Sequence, residues 1–371
     1  MFKKFLLLVF SLFLVTFLAC SKDSSGPKIS NEDIPANPTD IVVPATDYNN
    51  LIPSATFART GDNPARIRVN LLGVVNPVTQ QPLTLVADYG TGDYNFYLEE
   101  DEILKGVKLT KVGGGTSLAA DVVFLVDNSG SMDQEADSVA NSIIEFADLL
   151  ANSGLNVNFA CVGYQYGEVN GGINFTTKTK LQKYLTDRPY IYYGTDRTIG
   201  FSGADSAELE DVAYYYAYPD LSSENGVMAL FYADSLYHWR AGAQRVFINF
   251  TDEPTQPNGY VRWSTEYMCE EILGKATVHT VFSEDTTYYS WTDLWDERPW
   301  LMSQCTGGTI KFVDSYATGL NLADLPVAGA LSNSYLVEFI TAGSNAVHTV
   351  VITIKDTGVD GMIEYANISY N

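Results

Sequence analysis

The chain is poor in the residues on which most hydrolases and zinc proteins rely. Histidine occurs three times and cysteine four times in 371 residues. His238, His279 and His348 fall in no metal-like or triad-like spacing, and neither a Cys-x-x-Cys pair nor a Gly-x-Ser-x-Gly elbow is present. Zinc sites and serine-hydrolase chemistry are therefore not expected. A paired-carboxylate glycosidase leaves no comparable signature, but no feature asks for one, and the chain reads as a non-enzyme. Positive charge is scarce too. Lys and Arg total 22 against 45 Asp and Glu, a formal net charge of −23. That balance argues against nucleic acid and anionic membrane surfaces as partners. What remains is a globular composition, 46% apolar, with a length that suits two or three domains and no internal repeat.

The N-terminus has no run long enough to span a bilayer. Residues 5–17 are apolar apart from Ser11 and Thr16, shorter than the roughly 20 residues a spanning helix needs. Lys3 and Lys4 precede them, so residues 1–20 read as a signal peptide. Leu18-Ala19-Cys20 resembles a bacterial lipobox, which implies lipidation of Cys20 and a chain bound to the membrane only through its lipid. Ser21 in the next position, instead of Asp, resembles the arrangement sorted to the outer membrane, and Ser21-Lys22-Asp23 is reminiscent of surface-export signals. Secretion with Cys20 unmodified is the alternative. Residues 21–47, rich in Ser, Asn, Asp and Pro, read as a flexible tether. Cys161, Cys269 and Cys305 lie beyond it, an odd number. Cys161 sits in an apolar stretch as a small hydrophobe, while Cys269 and Cys305 are able to pair, a question the sequence leaves open.

Residues 48–118 show short strand patterns without helix, at 66–71, 83–86, 94–98 and 107–112. Residues 334–371 show more, at 334–340, 348–354 and 362–368. Each segment has too little core to stand alone, so together they predict the two halves of one β-sandwich. Between them, residues 119–333 alternate strand and helix as a doubly wound, mostly parallel α/β sheet requires. Helices are expected at 133–151, 179–186, 224–240, 264–274 and 293–304. Strands are expected at 121–127, 155–163, 171–176, 244–251, 277–283 and 309–313.

Residues 122–126 form an unbroken apolar run, the pattern of a strand buried on both faces. It ends in Asp127-Asn128-Ser129-Gly130-Ser131, a carboxylate and two hydroxyls at a strand's carboxyl end, where open α/β sheets hold ligands. Such oxygen donors suit a hard divalent cation. A turn that merely caps a helix is the plainer reading. A second strand ends in Thr251-Asp252-Glu253-Pro254, giving another strand-end aspartate.

Asp-x-Ser-x-Ser between strand and helix resembles the metal-ion-dependent adhesion site of von Willebrand factor type A domains. The resemblance implies that Asp127, Ser129 and Ser131 bind Mg²⁺ or Mn²⁺ with Asp252 as the third-loop aspartate. The integrin β I-like branch supplies a second-loop Glu, and Asp205-Ser206-Ala207-Glu208 matches that context with alanine in place of proline. Glu208 is then the expected ligand, with Thr195 or Thr198 as substitutes and a simple capping box as the plain reading. The same branch carries flanking metal sites, for which Glu135, Asp133 and Asp205 are candidates and Ca²⁺ an option. Insertion of the α/β domain into a β-sandwich also matches that branch.

The implied mechanism is coordination. Neutral serine ligands leave the cation electrophilic, with an open position for a partner's Asp or Glu. The expected function is that of a cell-surface adhesion or interaction lipoprotein of the outer membrane or cell surface, binding a protein with an exposed Asp or Glu. Assembly, tip or cap duty in a surface filament, contacting its subunits, is the alternative, and a metal-assisted hydrolase a more remote one. Aromatic-rich stretches at 190–201 and 214–218 read either as packing or as a surface for protein or glycan.

Overall fold

The computed structural model describes residues 30–51, 54–60, 63–72, 74–76, 79, 82–112, 119–152, 156–187, 203–204, 223–325, 334–342 and 347–370. The first strands are β1 (Ser54–Thr60), β2 (Asn63–Leu72), β3 (Ala87–Asp88), β4 (Asp93–Tyr94), β5 (Phe96–Glu100), β6 (Ile103–Leu104) and β7 (Val107–Lys111). Alternation then begins with β8 (Ala119–Asp127), α1 (Ala136–Asn152), β9 (Asn156–Gln165), β10 (Glu168–Thr176), α2 (Lys178–Thr186) and β11 (Gly203–Ala204). It continues with α3 (Gly226–Leu236), β12 (Gln244–Thr251), α4 (Thr265–Ile272), β13 (Thr277–Phe282), α5 (Leu301–Thr306) and β14 (Ile310–Phe312). The chain closes with β15 (Tyr335–Ile340), β16 (His348–Asp356) and β17 (Val359–Ile368).

These elements make a mixed α/β molecule with one largely parallel sheet and antiparallel sheets beside it. Strands from before and after the alternating region share two four-stranded sheets, β1-β2-β15-β7 and β17-β16-β5-β6. Their apolar residues interleave in one core, where Ile67, Val69, Leu71, Phe96, Leu98, Val337, Phe339, Val350 and Ile352 are wholly buried. Period-two spacing in β2 and β15 sends those side chains to one face.

The larger sheet runs β11-β10-β9-β8-β12-β13-β14. All neighbours are parallel except β9 and β10, which are antiparallel. β8 lies at its centre because it is apolar on both faces. Val122, Phe124 and Val126 pack with α1, while Val123 and Leu125 pack with α3 on the other side. All five are fully buried, contributing on the order of 10 kcal/mol as an upper bound. α1 buries Val139, Ala140, Ile143, Phe146, Ala147 and Leu150, the stripe its helical spacing predicts.

Several elements differ from the sequence expectation. Residues 83–86 form no strand, though Leu83 and Leu85 are buried. β1 is an additional strand. The expected helix at 293–304 begins only at Leu301, because Leu294 has φ +62° and Pro299 disfavours helix in the residue before it. α3 ends at Leu236 rather than near Arg240. Arg240 instead leaves the helix and grips buried Asp121, donating from Nε across 2.7 Å and from its backbone N–H across 2.8 Å. The expected tether is held to the sandwich in its described part. Asp33 pairs with Arg66, and Asp360 accepts the backbone N–H groups of Asp47, Tyr48 and Asn49. Cys269 and Cys305 form a disulfide between α4 and α5, and Cys161 is buried in β9.

The antiparallel sheets meet the parallel sheet at its amino end. Thr56 donates to Gln244, the first residue of β12, across 2.8 Å, and Ser54 meets Thr277, the first residue of β13, at 2.6 Å. The carboxyl ends of the parallel strands therefore point away from the sandwich.

Candidate metal centre

Asp127 and Thr251 end β8 and β12, which are hydrogen-bonded neighbours in register from Gln244 opposite Ala120 to Phe250 opposite Val126. Register alone therefore brings Asp127 and Asp252 to the same edge. Asp127 is 1% exposed and both its oxygens are held: Oδ1 accepts the Ser129 N–H across 2.9 Å, and Oδ2 accepts the Thr251 hydroxyl across 2.8 Å. The hydroxyls of Ser129 and Ser131 lie 2.9 Å apart, and Ser131 donates to Asp252 Oδ1 across 3.2 Å. After Ser129 the chain tightens into a single 3₁₀ turn, Gly130–Asp133, before α1 starts. That turn brings Ser131 onto Asp252, with Ser129 behind it on the Ser131 hydroxyl. Tyr289 fixes the third loop from outside by donating to the Asp252 carbonyl across 3.0 Å.

Four of the expected residues thus converge: Asp127, Ser129, Ser131 and Asp252. Glu135 lies next to them. It is fully buried, its Oε1 accepts the Ser283 hydroxyl across 2.6 Å, and its Oε2 has no hydrogen-bond partner among the described residues. Glu208, Asp205, Thr195, Thr198 and the aromatic stretches at 190–201 and 214–218 lie outside the described residues, as does Cys20.

Two further carboxylates join the site that the sequence pattern does not single out. Glu224, 5% exposed, shares a hydrogen bond with Glu253 and feels the charge of Asp127. Glu253 also approaches the Ser131 hydroxyl at 3.5 Å. Glu224 stands one residue before Asn225, whose side chain caps α3 by accepting the Met228 N–H across 2.9 Å. An acid beside a helix start is the available signal, and Ser223-Glu224-Asn225-Gly226 carries it as well as the segment ending at Glu208.

The electrostatics are lopsided. Burial raises Asp127 to about 6, Glu135 to about 7, Asp252 to about 8 and Glu224 to about 9. After burial, the mutual repulsion of these carboxylates is the main upward cause for Asp252 and Glu224. Among the described residues no lysine or arginine forms an ion pair with any of them. Such a crowd is costly to bury without a compensating cation.

No family model matches this chain, and no curated protein matches it. Among solved structures it is similar to the pilus adhesin SpaC from Lactobacillus rhamnosus GG in an open conformation, with a TM-score of 0.36 and 12% identity. That likeness covers 88% of this chain and 55% of SpaC, so the chain spans about half the length of that protein. The site stands on its own geometry.

The donor set fits a hard divalent cation rather than a soft one, being hydroxyl and carboxylate oxygen without sulfur or imidazole. Among the described residues, no three acidic, histidine or cysteine side chains close on one point as a ready-made cage. The arrangement is a set of two serines and flanking, mostly buried acids at a strand-end edge. It would depend on water and on a partner to complete a coordination shell.

Proposed function

We propose that this chain is a surface-displayed binding protein of the von Willebrand factor type A kind, taking a partner's Asp or Glu through a divalent cation. The observation that carries this reading is the meeting of Ser131 and Asp252, 121 residues apart in sequence, within a group of buried carboxylates that form no ion pair with a lysine or arginine among the described residues. Ser129 and Ser131 would hold the ion as neutral hydroxyls. Asp127, already fastened by Thr251 and the Ser129 N–H, would act mainly through the hydrogen bonds it organises, and Asp252 would supply charge from the third loop. Glu208 is the second-loop ligand by resemblance; Glu224 offers the same chemistry. Glu135 is suited to an auxiliary ion, Mg²⁺, Mn²⁺ or Ca²⁺.

A bound Mg²⁺ or Mn²⁺ supplies an electrophilic centre for an incoming carboxylate. The chain's own part is positional: Ser129 and Ser131 would hold the ion as hydroxyls, and the surrounding carboxylates would supply the charge that draws it in. The three histidines are engaged elsewhere, His238 Nδ1 with the Asn174 side chain at 3.3 Å. His279 in β13 accepts the Thr309 N–H, and His348 pairs with Asp101 in the sandwich. Lipidation at Cys20 would hold the chain on the outer membrane or cell surface. No helix among the described residues is long and apolar enough to cross a membrane. With the tether entering through the sandwich, the metal edge would face outward.

The test compares the intact chain with Asp127→Ala in a pull-down from cell-surface extracts, in Mg²⁺ and in chelator. The variant should keep the wild-type circular dichroism spectrum and retain nothing that depends on Mg²⁺. Equal retention by wild type and variant would refute the reading.

A further inference from the structure

Resting on that reading, we infer that the face around the metal edge is built for a basic protein surface, one of whose carboxylates reaches the cation. Seven aromatic rings stand broadly exposed among the described residues, and all but Tyr48 lie at the carboxyl end of the parallel strands. They are Tyr166, Tyr260, Tyr288, Trp295, Phe312 and Tyr316. An exposed aromatic costs solubility wherever it stands, so their confinement to the edge that carries the site marks that edge as a contact surface.

The rings are connected to the site. Tyr289, whose hydroxyl holds the Asp252 carbonyl, packs against Tyr288 with ring centroids 5.4 Å apart. On its other side Tyr289 meets Trp291 at 5.5 Å, Trp291 meets Trp300 at 5.1 Å, and Trp300 meets Phe312 at 5.1 Å. A continuous row of rings therefore runs from the third loop to the edge of β14, open at both ends, where Tyr288 is 78% and Phe312 52% exposed. Such a row is rigid and ordered before binding, which lowers the entropy cost of association.

Charge names the partner. Residues 252–264, 283–300 and 313–321, which follow β12, β13 and β14, contain eight acids, two arginines and no lysine. Both arginines are occupied with tryptophan rings, Arg262 over Trp263 at 4.6 Å and Arg298 over Trp291 at 5.6 Å. Lys311 reaches the last of these loops as well, its Nζ donating to the Asn321 carbonyl across 2.9 Å, yet acids outnumber cations and an acidic partner or glycan meets net repulsion away from the cation. Lysines and arginines meet carboxylates and the open faces of Tyr and Trp, where cation–π contact adds to charge. The fitting ligand is a net-basic protein surface that presents one isolated Asp or Glu.

The experiment pans a random peptide display library on the immobilised full chain in MgCl₂, with a glycan array as a parallel arm. Recovered peptides should be net basic with a single acid, and their binding should weaken with added salt. Tyr288→Ser and Trp295→Ser should each weaken them by about tenfold, whereas Tyr48→Ser should not. Recovery of neutral or acidic peptides, binding of glycans in place of peptides, or indifference to Tyr288 would overturn the inference. Repeating the panning in EDTA separates the two proposals. Basic peptides that persist in EDTA and still need Tyr288 support this surface and sink the metal reading. Peptides that need Mg²⁺ but ignore Tyr288 do the reverse.

Discussion

Thr251 donates its hydroxyl to Asp127 across 2.8 Å, joining the last residues of two neighbouring parallel strands. The bond favours the charged form of a buried carboxylate and fixes the direction in which it faces. Thr251→Val keeps the shape and removes the donor. It should cost about 1 kcal/mol of stability and weaken Mg²⁺ uptake by about tenfold, since Asp127 becomes harder to ionise. Titration of the variant checks this; unaltered uptake would show that the hydroxyl has no part in the site.

Removing metal should make the fold sensitive to alkali. Asp127, Glu135, Asp252 and Glu224 titrate in the folded chain at about 6, 7, 8 and 9, against ordinary carboxyl values of 3.8 for Asp and 4.5 for Glu. Raised folded values mean that the native state binds more protons than the unfolded chain across that window. Stability in chelator is therefore full below about pH 4 and falls as pH rises towards 9. Saturating Mg²⁺ should flatten the decline. Melting curves in EDTA and in MgCl₂ at several pH values provide the comparison, and a decline that Mg²⁺ leaves untouched would count against the site.

His279 gives a pH dependence of the opposite sign. Burial lowers it to about 4 from 6.5, and its Nδ1 accepts the Thr309 N–H. A depressed folded value means the unfolded chain takes the proton first. Stability contributed by neutral His279 is then present above pH 6.5 and is lost as pH falls to about 4, by about 3 kcal/mol. Glutamine can accept the same hydrogen bond but does not titrate. Denaturant midpoints for wild type and His279→Gln should diverge over that interval, and parallel curves would refute the assignment.

The disulfide between Cys269 and Cys305 closes a loop with a sequence separation of 36 residues, containing all of β13 and the aromatic loop. Constraint of the unfolded chain predicts a contribution of about 3–4 kcal/mol. A Cys269→Ser, Cys305→Ser double variant should melt several degrees lower than the oxidised chain. Reduced wild type should match the variant; an oxidised wild type no more stable than either would contradict the pairing.

The central strand is legible because residues 122–126 are apolar at every position, which in so short a run suits a strand covered on both sides. Asp127 and Asp252 are legible as acids that close such runs. Glu224 is not. Its position before a helix looks like ordinary end-capping, and only the packing of α3 beside β8 brings it to the edge. The helix expected at 293–304 starts only at Leu301 because apolar spacing around Leu294 and Trp300 competes with Pro299 and loses. β1 is faint in the sequence for a different reason: in Ser54-Ala55-Thr56-Phe57-Ala58-Arg59-Thr60 the small residues carry little periodic contrast, and the strand exists because β2 pairs with it. Pairing of one strand with another is a tertiary fact that local pattern does not encode.

Calorimetric titration of the folded full-length chain with MgCl₂ and MnCl₂ tests the metal site most directly. The expected result is saturable uptake of Mg²⁺ or Mn²⁺ at the strand-end edge, abolished in Asp127→Ala while that variant melts as a folded protein. Absence of heat with either ion, or equal uptake by Asp127→Ala, would contradict it.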